Sequence, residues 1–470
     1  MSSGPILIFD KSLLESLNVD ECVWLAQFYR ASVTPMFFIE TIADLQKEVP
    51  EDRTPEGVVA RLALKTTAMT ADANAHHVRI CTANLLGNVV DMHGVPMVEG
   101  GQSVASDGKK GLVFDVSPET RMVNRWQNRR FDESEREAAS NWRMALEELD
   151  LDATYATFRP VVERAGKPRD LASVKTLAET MLNDPALAEQ MVGVALMSLG
   201  VPRETWGDIF NRWTASGRPV LSEFAPYAAY CATVDLFFSL AIASALISKD
   251  RPSNKADLAY LYYLPFCMVF TSGDKLHRAT APLFMQQGQA FVWAPDMKAD
   301  LKALDEHYST LPEETRAQGV WSFAHRPPLG GGFLVTSLWD KYLSPIWRKN
   351  AEPKPTCTSE EEREFIRKMR QMADGPRAAG DVHVQDADFV VMKRDDAGPG
   401  RQVADRTTGS RGLNAKPPRD RSTSTALLRV PVAWRARSDS WRHRIPGAGR
   451  TPRALGIPKP QGYILCVENY

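Results

Sequence analysis

Four acids stand where chemistry could use them: Asp10 at the end of ILIF, Glu40 just after MFFI, Asp257 early in SNKADLAYLYYLP, and Asp274 closing FCMVFTSGD. Open α/β sheets bind ligands outside the carboxyl ends of their strands, so an acid ending an apolar run is worth following. Carboxylates that converge there repel and raise one another's pKa. A hard divalent cation relieves that repulsion, and all-oxygen ligands suit Mg2+ or Mn2+. Such a centre activates water for in-line attack on a phosphodiester. Each acid also has an ordinary structural use. Asp10 can end a strand at a turn, Glu40 and Asp257 suit the first turn of a helix, and Asp274 can cap KLHRATAP. Beside Asp274, Lys275, His277 and Arg278 read either as phosphate contacts or as a solvated face. Asp235 lies inside the most apolar stretch of the chain and is a fifth candidate, because a buried carboxylate needs a partner or a function.

The elements that must position these acids alternate. ILIF (6–9) reads as a buried strand, and a helix follows it, capped by Asn18 or Asp20. MFFI (36–39) reads as a second strand, with a helix after Glu40. A helix from Ser253 or Asn254 ends at Pro265, then FCMVFTS is a strand, KLHRATAPLFMQQ a helix, QAFVWA a strand and MKADLKALDEHY a helix. This alternation predicts an α/β fold, a Rossmann-like parallel sheet with right-handed crossovers. Residues 6–9, 36–39 and 267–271 are expected to be adjacent strands in it.

The order and local sequence of the acids resemble the PIN-domain nuclease superfamily. FDKS (9–12) is similar to its first-strand motif, an Asp followed closely by Ser or Thr. FFIETIADL (37–45) is similar to its E-x-x-x-[DE]-L helix start, and DLAYLYYLPFCMVFTSGD (257–274) to the later unit, whose strand ends in [TS]-x-D. The resemblance covers residues 5–48 and 253–300, and departs from the family in the long stretch between the middle acids. It implies a metal site of Asp10, Glu40, Asp257 and Asp274, with Ser12 and Thr271 as supporting hydroxyls. It further implies Mg2+/Mn2+-dependent cleavage of single-stranded RNA, as in toxin ribonucleases, with a protein inhibitor or a second copy as possible partners. A catalytically inactive PIN-like scaffold that binds nucleic acid or protein is the alternative.

The expected organisation is a discontinuous core (1–50 and 251–310), a helical insertion (51–250), a helical cover (311–392) and a basic, disordered tail (393–470). The tail holds 16 Lys and Arg against 6 Asp and Glu, and the rest of the chain 41 against 52, so the body is acidic and only the tail could attract nucleic acid wholesale. Six cysteines lack any C-x-x-C pairing, which suits reduced thiols in a cytoplasmic protein. His76 and His77 point apart on a helix, which is wrong for a ligand pair. The glycines and lysines of 90–111 miss the phosphate-loop spacing and read as a hairpin. The run 227–248 has spanning length, but Asp235 makes it a core helix rather than a membrane span.

Overall fold

The computed structural model describes residues 4–68, 72–106, 108–349, 367, 375–378 and 389–392. Most of the expected helical cover beyond residue 349, and the basic tail, lie outside them. The chain divides into two units. The smaller contains the antiparallel hairpin of β4 (Gly101–Ser106) and β5 (Lys109–Phe114), with β8 (Phe389–Met392) parallel to β5.

The larger unit carries a five-stranded sheet of order β3-β2-β1-β6-β7. Its members are β1 (Ile6–Phe9), β2 (Arg30–Val33), β3 (Asp72–Ala73), β6 (Val269–Ser272) and β7 (Ala290–Trp293), and every pairing is parallel. β1 is buried throughout, as the continuous apolar run of a strand covered on both faces should be. The chain leaves β1 toward β2 and β3, then returns to β1's other side with β6 and β7. The β1/β6 junction is therefore the point where strand order reverses, and such a point opens a crevice at the carboxyl ends. Register pairs Phe9 with Thr271, which sets Asp10 and Ser272 side by side at that end.

The second strand is not where the apolar run suggests. MFFI lies in α3 (Pro35–Ala43), and the strand is RASV, 30–33. Thr34 takes the N-cap, accepting from the Phe37 amide at 3.3 Å, and Pro35 sits in the first turn with its φ preset for a helix. Met36, Phe37, Phe38 and Ile42 are buried, and the Phe37 ring meets Phe9 edge-on at 5.6 Å. β3 comes from within the stretch expected to be a helical insertion.

Two further helices matter to the site. Ser253–Ala259 carries Asp257, and a 3-10 turn, Tyr260–Phe266, links it to β6. Lys275–Phe284 follows β6 directly. The apolar run folds as the helix Pro226–Ala243, most of it buried and packed on other helices. It is the one helix among the described residues long and apolar enough to cross a membrane.

Candidate metal and phosphodiester site

Asp10 ends β1 and caps α1 (Lys11–Ser16). One carboxylate oxygen accepts from the Ser12 hydroxyl at 2.6 Å and the Leu13 amide at 3.2 Å. The other accepts from the Ser272 hydroxyl at 2.6 Å and faces His277 Nδ1 at 3.3 Å. A carboxylate has about four acceptor positions, and all of Asp10's are engaged.

His277 is 1 % exposed, not part of a solvated face. Its Nε2 lies 2.5 Å from the main-chain oxygen of Asp257, and its Nδ1 faces both Ser272 (2.8 Å) and the Asp10 carboxylate. Nε2 meets a main-chain carbonyl and must donate to it, and the Asp10 carboxylate beside Nδ1 favours a second proton on the ring. Burial pulls its pKa down, but the hydrogen bond and charge of Asp10 and the Asp257 carbonyl win, raising it to about 9. For Asp10, burial works upward and His277, Ser12 and Ser272 outweigh it, so its pKa lies below the ordinary value. Ser272, His277 and Asp10 are residue types of a hydrolytic triad without its geometry. Hydroxyl and carboxylate meet the same ring nitrogen, and Ser272 is fully buried.

Asp274 caps the helix Lys275–Phe284 through one oxygen, which accepts from the Leu276 amide at 2.6 Å and the His277 amide at 3.4 Å. Its own amide donates to Ser272, and the Gly273 amide donates to Ser12 at 2.8 Å. A Cβ on Gly273 would stand 3.1 Å from the Ser12 oxygen, so the small residue lets the two strand ends close on each other.

Glu40 arrives on α3, and Tyr260 donates to one of its oxygens at 2.5 Å. Burial, with the charges of Asp257 and Asp10 adding and Tyr260 opposing, raises its pKa to about 7. Asp257 is half-buried, and no hydrogen bond reaches its carboxylate from the described residues. Burial and the charges of Asp274 and Asp10 raise its pKa to about 6 against the pull of His277. The four expected acids thus act on one another from three remote segments. Lys11 is committed to Asp44 at 2.6 Å and to the Glu40 carbonyl at 3.4 Å.

The remaining candidates separate. The Thr271 hydroxyl is buried without a hydrogen-bond partner among the described residues, and the hydroxyls that reach Asp10 are those of Ser12 and Ser272. Asp235 is engaged elsewhere, by Lys255 and the Tyr262 hydroxyl. Lys275 is exposed, and exposed Arg278 lies 5.0 Å over the ring of Trp293 at the end of β7. Sequence reading passes over Tyr260 and Ser272 and offers His277 as a phosphate contact or part of a solvated face, neither of which suits a buried ring. A signal for His277 existed: with Thr280, Ala281 and Phe284 it forms an i, i+3, i+4, i+7 buried face. Period-two alternation likewise puts Ser272, not Thr271, on Asp10's side of the sheet.

As donors, Asp257, the free oxygen of Glu40 and the free oxygen of Asp274 are hard, anionic and short of hydrogen bonds, which fits Mg2+ or Mn2+. Among the described residues no group of three His, Cys, Asp or Glu side chains is placed to hold an ion. Binding would therefore need these side chains to move, Glu40 against its bond from Tyr260 and Asp274 against its helix cap. Compared with family models, curated proteins and solved structures, the chain finds no match.

Proposed function

We propose that the β1/β6 crevice is the active site of a metal-dependent nuclease of PIN-like type, hydrolysing phosphodiester bonds in single-stranded RNA. The observation that supports this best is Asp257: a carboxylate with raised pKa and no donor among the described residues, within electrostatic reach of Asp274 and Asp10 near the reversal of strand order. Glu40, Asp257 and Asp274 are the residues that would hold Mg2+ or Mn2+. Bound there, the ion would lower the pKa of a water and neutralise charge on phosphoryl oxygens. Tyr260 orients Glu40, His277 anchors the main chain at Asp257, and the Leu276 and His277 amides orient Asp274. Lys275 and Arg278 are exposed on the helix after Asp274 and would be the side chains to meet phosphates flanking the scissile bond.

One observation favours the second reading, a catalytically silent scaffold that binds nucleic acid or a protein partner. Asp10, the acid expected to lead the metal site, is already satisfied by the protein's own donors. Incubation of labelled single-stranded RNA with Mn2+ separates the two. The nuclease reading expects cleavage that EDTA stops and that Asp257→Asn abolishes while the variant still binds the RNA. Binding without cleavage in the wild-type chain leaves the scaffold.

A further inference from the structure

Two cysteines outside the crevice face each other across a helix seam. The helix His77–Leu85 packs on the helix Pro226–Ala243. At one end of the seam the Asn84 side-chain oxygen accepts from the Tyr227 amide at 3.0 Å and the Ala228 amide at 3.2 Å. At the other, the His77 ring lies 4.6 Å from that of Tyr262, whose hydroxyl donates to Asp235. The two helices therefore run antiparallel, with Asn84 beside Ala228 and His77 toward Asp235. One turn inward from each anchor, that register brings Cys81 opposite Cys231. Their thiols hydrogen-bond to each other, and both residues are fully buried. Buried Ala228 and Ala232 flank Cys231 and let the helices approach, as a disulfide with its Cα atoms within about 7 Å requires. The other free thiols among the described residues are engaged differently: Cys22 lies near Lys65, and Cys267 donates to the Leu264 carbonyl.

The seam also holds the turn behind Glu40. The Tyr263 hydroxyl accepts from the His77 amide at 3.0 Å, and the Tyr227 hydroxyl donates to the Tyr262 carbonyl at 3.1 Å. Tyr260, in the same 3-10 turn, donates to Glu40. We propose that Cys81 and Cys231 form a redox latch, closed by a peroxide, that fastens this seam with a disulfide. The Cys81 thiolate attacks one peroxide oxygen, the O–O bond breaks, and hydroxide leaves as water with the thiol's proton, giving a sulfenic acid. The Cys231 sulfur then attacks the sulfenic sulfur, forming the S–S bond and releasing a second water. Two thiols are oxidised and one peroxide is reduced. Burial and the Cys231 thiol push the Cys81 pKa well up, so thiolate is scarce and the reaction waits on local opening of the seam. The same burial shields the disulfide from reducing thiols, so the latch is slow to close and slow to open. Closed, it joins residues 81 and 231, and a loop of about 150 residues restricts the unfolded chain strongly.

The test treats the full chain with hydrogen peroxide, alkylates it in denaturant and maps its cysteines by mass spectrometry. The expected product is a peptide pair joined through Cys81 and Cys231, formed faster in sub-denaturing urea than in buffer. The oxidised chain should melt roughly 5 °C or more above the reduced one, and dithiothreitol applied in denaturant should abolish the difference. Cys22→Ser and Cys267→Ser should keep the link and the shift, and Cys81→Ser should lose both. Cys81 and Cys231 recovered unlinked, whether alkylated or over-oxidised, would overturn the inference. So would a link from either to a different cysteine, or a linked chain that melts no higher than the reduced one. If Cys81→Ser fails to fold, the linked peptide of the wild-type chain and its melting temperature decide. These readouts involve neither metal nor RNA, so they stand or fall apart from the nuclease reading.

Discussion

Two regions of the larger unit bury carboxylates beside a cation, and they balance their charges differently. In the helix Pro226–Ala243, one oxygen of Asp235 meets both Lys255 and the Tyr262 hydroxyl, and the other is buried without a hydrogen-bond partner among the described residues. At the ends of β1 and β6, Asp10 meets the His277 ring, Glu40 accepts from Tyr260, and Lys11 is drawn off to Asp44. In the first, one carboxylate stands against one ammonium. The second sets several carboxylates together, and burial first, then the neighbouring carboxylates, raises the pKa values of Glu40 and Asp257. An acid inside an apolar helix signals a structural pair, whereas acids left short of donors at a strand-order reversal signal a place for a ligand.

The largest expected effect comes from Asp10→Asn. It strands the His277 cation in the core and weakens a helix cap, so a loss of about 3–5 kcal/mol is expected in urea unfolding. A member of a like-charged cluster would ordinarily be removed at no cost. Asp10 differs because its own donors already compensate it. Asp235→Asn should cost less, about 1–3 kcal/mol, because Lys255 is partly exposed and can turn to water.

Next is the pH dependence that His277 imposes. Its folded pKa, about 9, lies above the ordinary 6.5, so the folded chain binds the extra proton between those values. Its contribution is complete below pH 6.5 and disappears as pH rises through 9, roughly 3 kcal/mol if the whole difference is realised. Urea midpoints of the wild-type chain should fall across that window. In His277→Gln the fall should be absent. An equal fall in the variant would place the titrating group elsewhere.

Smaller and opposite in sign is Asp257→Asn in the metal-free protein. The folded pKa of about 6 exceeds the ordinary 3.8, so ionised Asp257 weakens the fold above pH 6 and not below 4. Its removal should add on the order of 1 kcal/mol at pH 8, after allowance for solvent screening of a half-exposed group, and nothing at pH 4.

The core strands and two of the four acids were legible because they depend on local pattern: ILIF and FCMVFTS are continuous apolar runs, and Asp10 and Asp274 follow them directly. The second strand was misplaced because MFFI is apolar enough for either state, and Thr34-Pro35, a cap and a first-turn proline, settles it as helix. RASV has too little apolar character to stand out, and β3, two residues long, has no signature at all. The convergence of Glu40 and Asp257 follows from the acids' order along the chain. The capture of Asp10 by His277 does not, because it depends on register across β1 and β6 and on burial of a residue flanked by Lys275 and Arg278.

The difference between the two regions is tested most directly by thermal melting with and without millimolar Mn2+ at pH 7.5. A ligand that binds only the folded state raises its stability by mass action. Mn2+ should raise the melting temperature of the wild-type chain and of Asp235→Asn alike, and leave that of Asp257→Asn where it was. No shift in the wild-type chain, or an equal shift in Asp257→Asn, would contradict a cation site at the ends of β1 and β6.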